Sequence, residues 1–217
     1  MRIGILGSGL MGAKLGTIWA RAGHEVIFSY ARSQEKLKRL AREARGDARA
    51  GTPAEAAGES DVLLLAVHWS RVGDVLKRAG SVAGKVVVSC SLPMNAADTA
   101  LAVGHTTSGA EKLANAIPKA RVVSAFNTVP SEVLFDVFAA RRRASRPSLA
   151  YCGDDPGSKR IAATLIRDAG FDPVDAGPLR TARYTEPFAL LMGRLAYEGK
   201  DGPELAYRFE RFGKRRR

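Results

Sequence analysis

Gly7, Gly9 and Gly12 form a Gly-x-Gly-x-x-Gly spacing, with Ser8, Leu10 and Met11 between them. Those residue types at that spacing suit a main chain that must come close to a pyrophosphate. Gly7 permits a tight turn, Gly9 lets the backbone approach the phosphates, and Gly12 lets a helix pack close to a strand. A helix opening there adds unpaired N–H groups and a partial positive charge. A NAD-selective site carries an acid on the ribose 2′-hydroxyl about 20 residues further on. Here the chain reads Ser29-Tyr30-Ala31-Arg32-Ser33, with no acid before Glu35. Arg32 offers a planar donor fork to a 2′-phosphate. Ser29 and Ser33 offer hydroxyls, Tyr30 or Arg32 a face for adenine, and Lys36 a further positive charge. The residues therefore point to NADP(H) rather than NAD(H). The alternative for Arg32 and Lys36 is a solvated helix start.

Two further places can do chemistry. Val67-His68-Trp69 follows the apolar run 62–67, and Asn127-Thr128-Val129 follows the apolar run 121–126. Ligands of open α/β sheets bind outside the carboxyl ends of the strands, which puts His68 and Trp69 beside a dinucleotide and Asn127 at the same edge, although Trp69 also suits packing at the start of the next helix. The amide of Asn127 can read a carboxamide or a ring carbonyl; otherwise it is a turn asparagine satisfying its own backbone. His68 is otherwise an ordinary loop histidine. No Ser-His-Asp set, paired catalytic carboxylates or lysine motif is evident, so no catalytic side chain is assigned. Cys90 and Cys152 are isolated, and His24, His68 and His105 are scattered, so no metal site is expected.

The elements that must position these residues follow from the hydrophobic pattern. Strands are expected at 2–6, 25–29, within 46–52, and at 62–67, 85–89, 121–126, 149–152 and 171–174. Helices are expected at 10–22, 34–45, from 53, and at 70–79, 108–117, 156–169 and 187–198. Residues 94–107 read as irregular, and the run Arg141-Arg142-Arg143 in 131–146 as a solvated loop. Phe188, Leu191, Met192 and Leu195 share a helical face that either closes the core or meets a second subunit. The fold class is α/β, a Rossmann-type doubly wound, mostly parallel sheet with a small C-terminal helical extension. The organisation is an NADP-binding domain over 1–180, the extension over 181–212, and a basic tail over 213–217 expected to be disordered.

The 217 residues carry a net charge of +12, four of it from Lys214, Arg215, Arg216 and Arg217. A basic surface favours anionic partners. No aromatic and basic interleaving supports nucleic acid as that partner. No apolar run approaches the roughly 18–20 residues of a membrane span. The chain opens on a strand rather than a leader pattern, so a cytoplasmic location is expected.

Several patches resemble one family, the NADP-dependent reductases of the deazaflavin coenzyme F420. They are residues 3–12, Gly23-His-Glu-Val26, Ala66-Val-His-Trp69, Val122-Val-Ser-Ala-Phe-Asn-Thr-Val-Pro130, Tyr151-Cys-Gly-Asp-Asp155, and Asp175-Ala-Gly-Pro-Leu179 with Arg183. The cytoplasmic reductase domain of membrane ferric reductases shares the plan. The resemblance implies NADP across the sheet edge, held by Ser8, Gly9, Leu10, Met11, Arg32, Val67 and His68. It implies a deazaflavin ring against residues 127–129, and often a homodimer. The chain departs from the family at Asn127, where a histidine is usual, and at His68, where a proline is usual.

The leading expectation is hydride transfer between NADP(H) and a flavin-like acceptor, with coenzyme F420 as co-substrate. The alternatives are an NADPH-dependent reductase of a flavin, ferric chelate or small carbonyl, and a non-enzymatic NADP(H)-binding redox sensor.

Overall fold

The computed structural model describes residues 1–212, so the expected disorder of the tail 213–217 lies outside the described residues. Eight strands form one sheet: β1 Arg2–Leu6, β2 Glu25–Ser29, β3 Ala48–Ala50, β4 Val62–Leu65, β5 Val86–Ser89, β6 Arg121–Ser124, β7 Ser148–Gly153 and β8 Asp172–Asp175. Their order is β3-β2-β1-β4-β5-β6-β7-β8. Neighbours run parallel except β6 and β7, which are antiparallel. The first six strands keep the 3-2-1-4-5-6 order of a doubly wound dinucleotide fold.

Alternate residues along each strand feed different faces, because side chains of a strand alternate. Ile3, Ile5, Val26, Phe28, Val62 and Leu64 enter one apolar cluster. Leu6, Ile27, Leu63 and Leu65 enter the other. The first cluster is closed by α1 Leu10–Arg21, α2 Gln34–Ala44, α6 Leu134–Ala139 and α7 Pro156–Asp168. The second is closed by α3 Pro53–Glu59, α4 Val72–Ala79, α5 Gly109–Ala116 and α8 Ala182–Tyr197. Continuous apolar runs such as Val62–Leu65 therefore mark strands covered on both faces. Trp19 fastens α1 to α7: its indole N–H donates to the Leu165 carbonyl at 3.0 Å, and its ring meets Phe126 edge-on at 5.7 Å.

The structure corrects several expected boundaries. β4 and β6 end two residues early, and a 3-10 turn at Trp69–Arg71 precedes α4. A helix, α6, stands inside 131–146, while Arg141, Arg142 and Arg143 beyond it are exposed. α8 begins at Ala182, five residues before Pro187, which lies inside it. Its expected common face is split: Met192 is buried and Phe188 half-buried, whereas Leu191 and Leu195 stay 51% and 54% exposed. Within 198–212 there is no helix. Instead Tyr207 accepts the Ser148 N–H on its carbonyl at 2.8 Å, beside the opening residues of β7. Among the described residues no helix is long and apolar enough to cross a membrane.

Candidate functional site

The turn from β1 into α1 is built from backbone constraints. Gly7 has φ 118°, and a Cβ on it would lie 2.4 Å from the Ala66 carbonyl oxygen. A Cβ on Gly12 would press into the Gly7 carbonyl oxygen, so here any larger residue forces the helix off the strand. Gly9 differs: a Cβ there would meet nothing within 4 Å. Gly9 is also the N-cap of α1 and supplies no side-chain cap. The N–H groups of Gly7 and Ser8 are taken by the Ser29 and Tyr30 carbonyls, at 3.3 and 3.1 Å. Those of the first turn of α1 have no partner within the helix. Open space beside a helix N-terminus fits a pyrophosphate.

From this turn a cleft of about 1330 Å³ runs along the carboxyl ends of β1, β2 and β4. It is lined by Gly7, Ser8, Gly9 and Leu10, by Tyr30, Arg32, Ser33 and Lys36, and by Val67 and His68. It also takes in Lys14, Gln34, Arg39, Arg71, Asp74 and Arg78, which the sequence reading did not single out. Its charged walls are thus Lys14, Arg32, Lys36, Arg39, Arg71 and Arg78 against the one carboxylate of Asp74. Asp74 is engaged: Tyr30 donates its hydroxyl to it at 2.6 Å and Arg78 pairs with it at 3.1 Å. The Arg78 guanidinium also lies 5.6 Å from the Tyr30 ring centroid. Burial, with the bond to Asp74, raises the Tyr30 phenol; that same bond holds the Asp74 carboxyl below its usual range. Ser33 caps α2, accepting the Lys36 N–H on its Oγ at 3.3 Å, so a second helix N-terminus opens beside Arg32.

Not every expected residue faces this cleft. Ser29 is fully buried and donates its hydroxyl to the Ile5 carbonyl at 2.7 Å. It ties β2 to β1 and cannot offer that hydroxyl to a phosphate. Ser8 donates its own hydroxyl to Ser29 O at 2.8 Å, leaving its backbone to line the cleft. Met11 is half-buried against the first core cluster, and Gly12 is buried. His68 bridges two elements, with Nδ1 2.8 Å from Ser70 Oγ and Nε2 2.8 Å from Asp98 Oδ1. Trp69, next in the chain, is half-buried against the second core cluster.

Phe126 turns the exit of β6 with φ 66°, a strained conformation for a bulky residue. It leaves Asn127 half-buried, its amide donating to Ser124 Oγ at 3.4 Å. Asn127 does not line the cleft described above. Thr128 and Val129 are buried, which corrects their expected place on a ligand surface. Thr128 Oγ1 lies 2.8 Å from the Tyr207 hydroxyl, and Val129 packs in the core. The cofactor wall and this loop are joined by Lys14 of α1, whose ammonium donates to the Ser131 carbonyl at 2.9 Å.

Burial pushes the thiols of Cys90 and Cys152 up to about 12, so both stay protonated and unreactive at neutral pH. Among the described residues no three His, Cys, Asp or Glu side chains group as metal ligands.

Residues 2–93 match the family model described as NADP oxidoreductase, coenzyme F420-dependent. Over that stretch, somewhat under half of its length, the chain is similar to that family. The matched stretch holds the glycine turn, the Arg32–Lys36 segment, Arg71 and Arg78; the Asn127 loop and Tyr207 lie outside it. The F420-dependent NADP reductase of Methanocaldococcus jannaschii is 28% identical over 221 residues, covering 92% of this chain and 95% of that one. Metalloreductase STEAP3 of Rattus norvegicus is 30% identical over 189 residues, covering 87% of this chain. The chain spans only 36% of that longer relative. Among solved structures, one from Arthrobacter sp. FB24, described as an F420-dependent NADP reductase, superposes with a TM-score of 0.83 at 24% identity. It covers 96% of this chain and 99% of its own. An imine reductase from Aspergillus terreus reaches a TM-score of 0.65 at 19% identity, covering 88% of this chain and 60% of its own, and shares the fold.

Proposed function

We propose that this chain transfers a hydride between NADP(H) and a flat, flavin-like acceptor, with the deazaflavin coenzyme F420 as the first candidate. The observation that carries the reading is the charge of the cleft. Five of its cations, Arg32 at the exit of β2, Lys36 and Arg39 on α2, Arg71 in the 3-10 turn and Arg78 on α4, line it against one engaged carboxylate. A dinucleotide with a 2′-phosphate suits that distribution better than one without it. When bound, the nicotinamide supplies the hydride. The first turn of α1 would hold the pyrophosphate. Arg32 and the N-terminus of α2 would hold the 2′-phosphate, and the braced Tyr30 would support the adenine. His68 and Asn127 flank the strand exits where two rings would meet. Such a reaction requires orientation rather than a nucleophile.

The test is NADPH oxidation with coenzyme F420 as acceptor, beside NADH at equal concentration. Turnover with NADPH at least tenfold above NADH is expected. Normal NADPH binding without turnover on F420 would remove this acceptor. The likeness to a metalloreductase supports a second acceptor class, and free flavins and a ferric chelate belong in the same panel. Binding without turnover on any acceptor would leave an NADP(H) sensor. We further propose a homodimer, supported by the exposed apolar side chains of Tyr184, Leu191 and Leu195 on α8 and tested by sedimentation, and a cytoplasmic location, tested by cell fractionation.

A further inference from the structure

The cleft cation that the cofactor's phosphates do not account for is Lys14. The pyrophosphate has the first turn of α1, and the 2′-phosphate has Arg32 and its neighbours. Lys14 is one turn further along α1, on the side of the loop that follows β6. Its ammonium has three N–H donors, one of which goes to the Ser131 carbonyl at 2.9 Å. The Phe135 ring centroid lies 6.0 Å from it. The nearest acid on that loop, Glu132, feels the charge of Lys14, but its hydrogen bonds go elsewhere. It accepts the Tyr197 hydroxyl at 2.8 Å and the Ser131 hydroxyl at 3.1 Å, and no salt bridge joins it to Lys14 among the described residues. Lys14 nevertheless lines the open cleft. A half-buried lysine whose ammonium has donors to spare, set between the cofactor wall and the loop after β6, is a site for an anion.

We propose that Lys14 anchors a negatively charged group, a phosphate or carboxylate, on the side chain of the hydride acceptor. This rests on the reading of the cleft as a two-ring site. It makes the acceptor class narrower: a flat ring bearing an anionic tail, selected over the same ring without one.

Two matched pairs of probes test it: FMN against riboflavin, and coenzyme F420 against its neutral ribityl-deazaflavin fragment. Binding of each to the NADP⁺-loaded protein is measured for the wild type, Lys14→Gln and Lys14→Arg. Turnover and NADP⁺ affinity are followed in parallel. The glutamine removes the charge and keeps a polar amide donor, and a thermal melt checks that the fold is retained. The wild type is expected to bind the anionic member of a pair about tenfold more tightly. Lys14→Gln should abolish that preference with NADP⁺ affinity unchanged, and Lys14→Arg should keep it. A preference that survives Lys14→Gln overturns the proposal, and so does binding of no probe. A parallel loss of NADP⁺ affinity assigns the ammonium to the pyrophosphate instead and also overturns it. Failure of the hydride-transfer reading looks different: the charge preference persists in binding while no acceptor is reduced.

Discussion

Single residues separate packing from ligand contact most clearly at the glycine turn. Gly9 and Gly12 belong to one motif, yet added Cβ atoms meet different surroundings, open space at the first and the Gly7 carbonyl at the second. Gly9→Ala should leave the thermal midpoint nearly unchanged and weaken NADPH by tenfold or more in a titration. Gly12→Ala should instead lower the midpoint, by about 1–3 kcal/mol of stability from overpacking. At the other end of the cleft, Arg32→Ala removes one charged hydrogen-bonding partner of a 2′-phosphate, a loss of about 1.5–3 kcal/mol. The KM for NADPH should rise by one to two orders of magnitude while that for NADH stays level. The glycines and Arg32 were legible in sequence because their role follows from type and spacing. Ser29 and Thr128 were not, because a pattern of residue types does not say which way a hydroxyl turns. Both hydroxyls turn inward, to Ile5 O and to Tyr207. Arg71, Arg78 and Lys14 carry no motif. They become visible only once their helices are laid against the sheet edge.

Among elements, the junction of α5 and α8 has a pH signature. Glu186, 1% exposed, accepts the N–H groups of Gly109 and Ala110 at 2.9 and 3.0 Å and so caps α5 from another helix. Burial raises its carboxyl above the usual value of 4.5 despite those bonds. Its contribution to stability is therefore full below the unfolded value and is lost as pH rises through the folded one. Glu111 is the opposite case. The bond from Arg183, with Ser108 helping, lowers its carboxyl, so its contribution is present above the unfolded value and lost as pH falls through the folded one. Urea midpoints followed from acid to neutral pH should show a shallower acid-side decline in Glu111→Gln, other lowered carboxyls supplying the rest, and a shallower neutral-side decline in Glu186→Gln. Tyr207 makes a similar link further on, through Ala150 N–H at 2.8 Å and Thr128. Tyr207→Phe keeps the ring against Phe188 and Phe209 but leaves a backbone donor unpaired, at a cost of about 1–3 kcal/mol in chemical denaturation. The sequence hid this junction because Pro187 reads as a helix start, proline being ordinarily confined to a first turn. Here it lies within α8, and the first turn precedes it. α6 was hidden for another reason: its six residues are too short for a period to show against the arginines that follow.

For the molecule as a whole, the doubly wound, mostly parallel sheet was legible in the alternation of strand and helix patterns, since parallel neighbours need crossovers, whereas the order β3-β2-β1-β4-β5-β6 came from the structure. The reversal at β7 did not, because strand direction leaves no mark on hydrophobic period. The net charge of +12 has a measurable consequence here. Added salt should weaken NADPH binding more steeply than NADH binding, because the 2′-phosphate would add negative charge for the basic cleft to hold. The two tryptophans divide the molecule between them. Trp19 is sealed between α1 and α7, whereas Trp69 is half-buried and directly follows the cleft residue His68. Reduced nicotinamide absorbs where indole emits. The protein thus carries its own optical reporter, in which quenching of Trp69 signals an occupied cleft and a red shift of Trp19 signals a lost core.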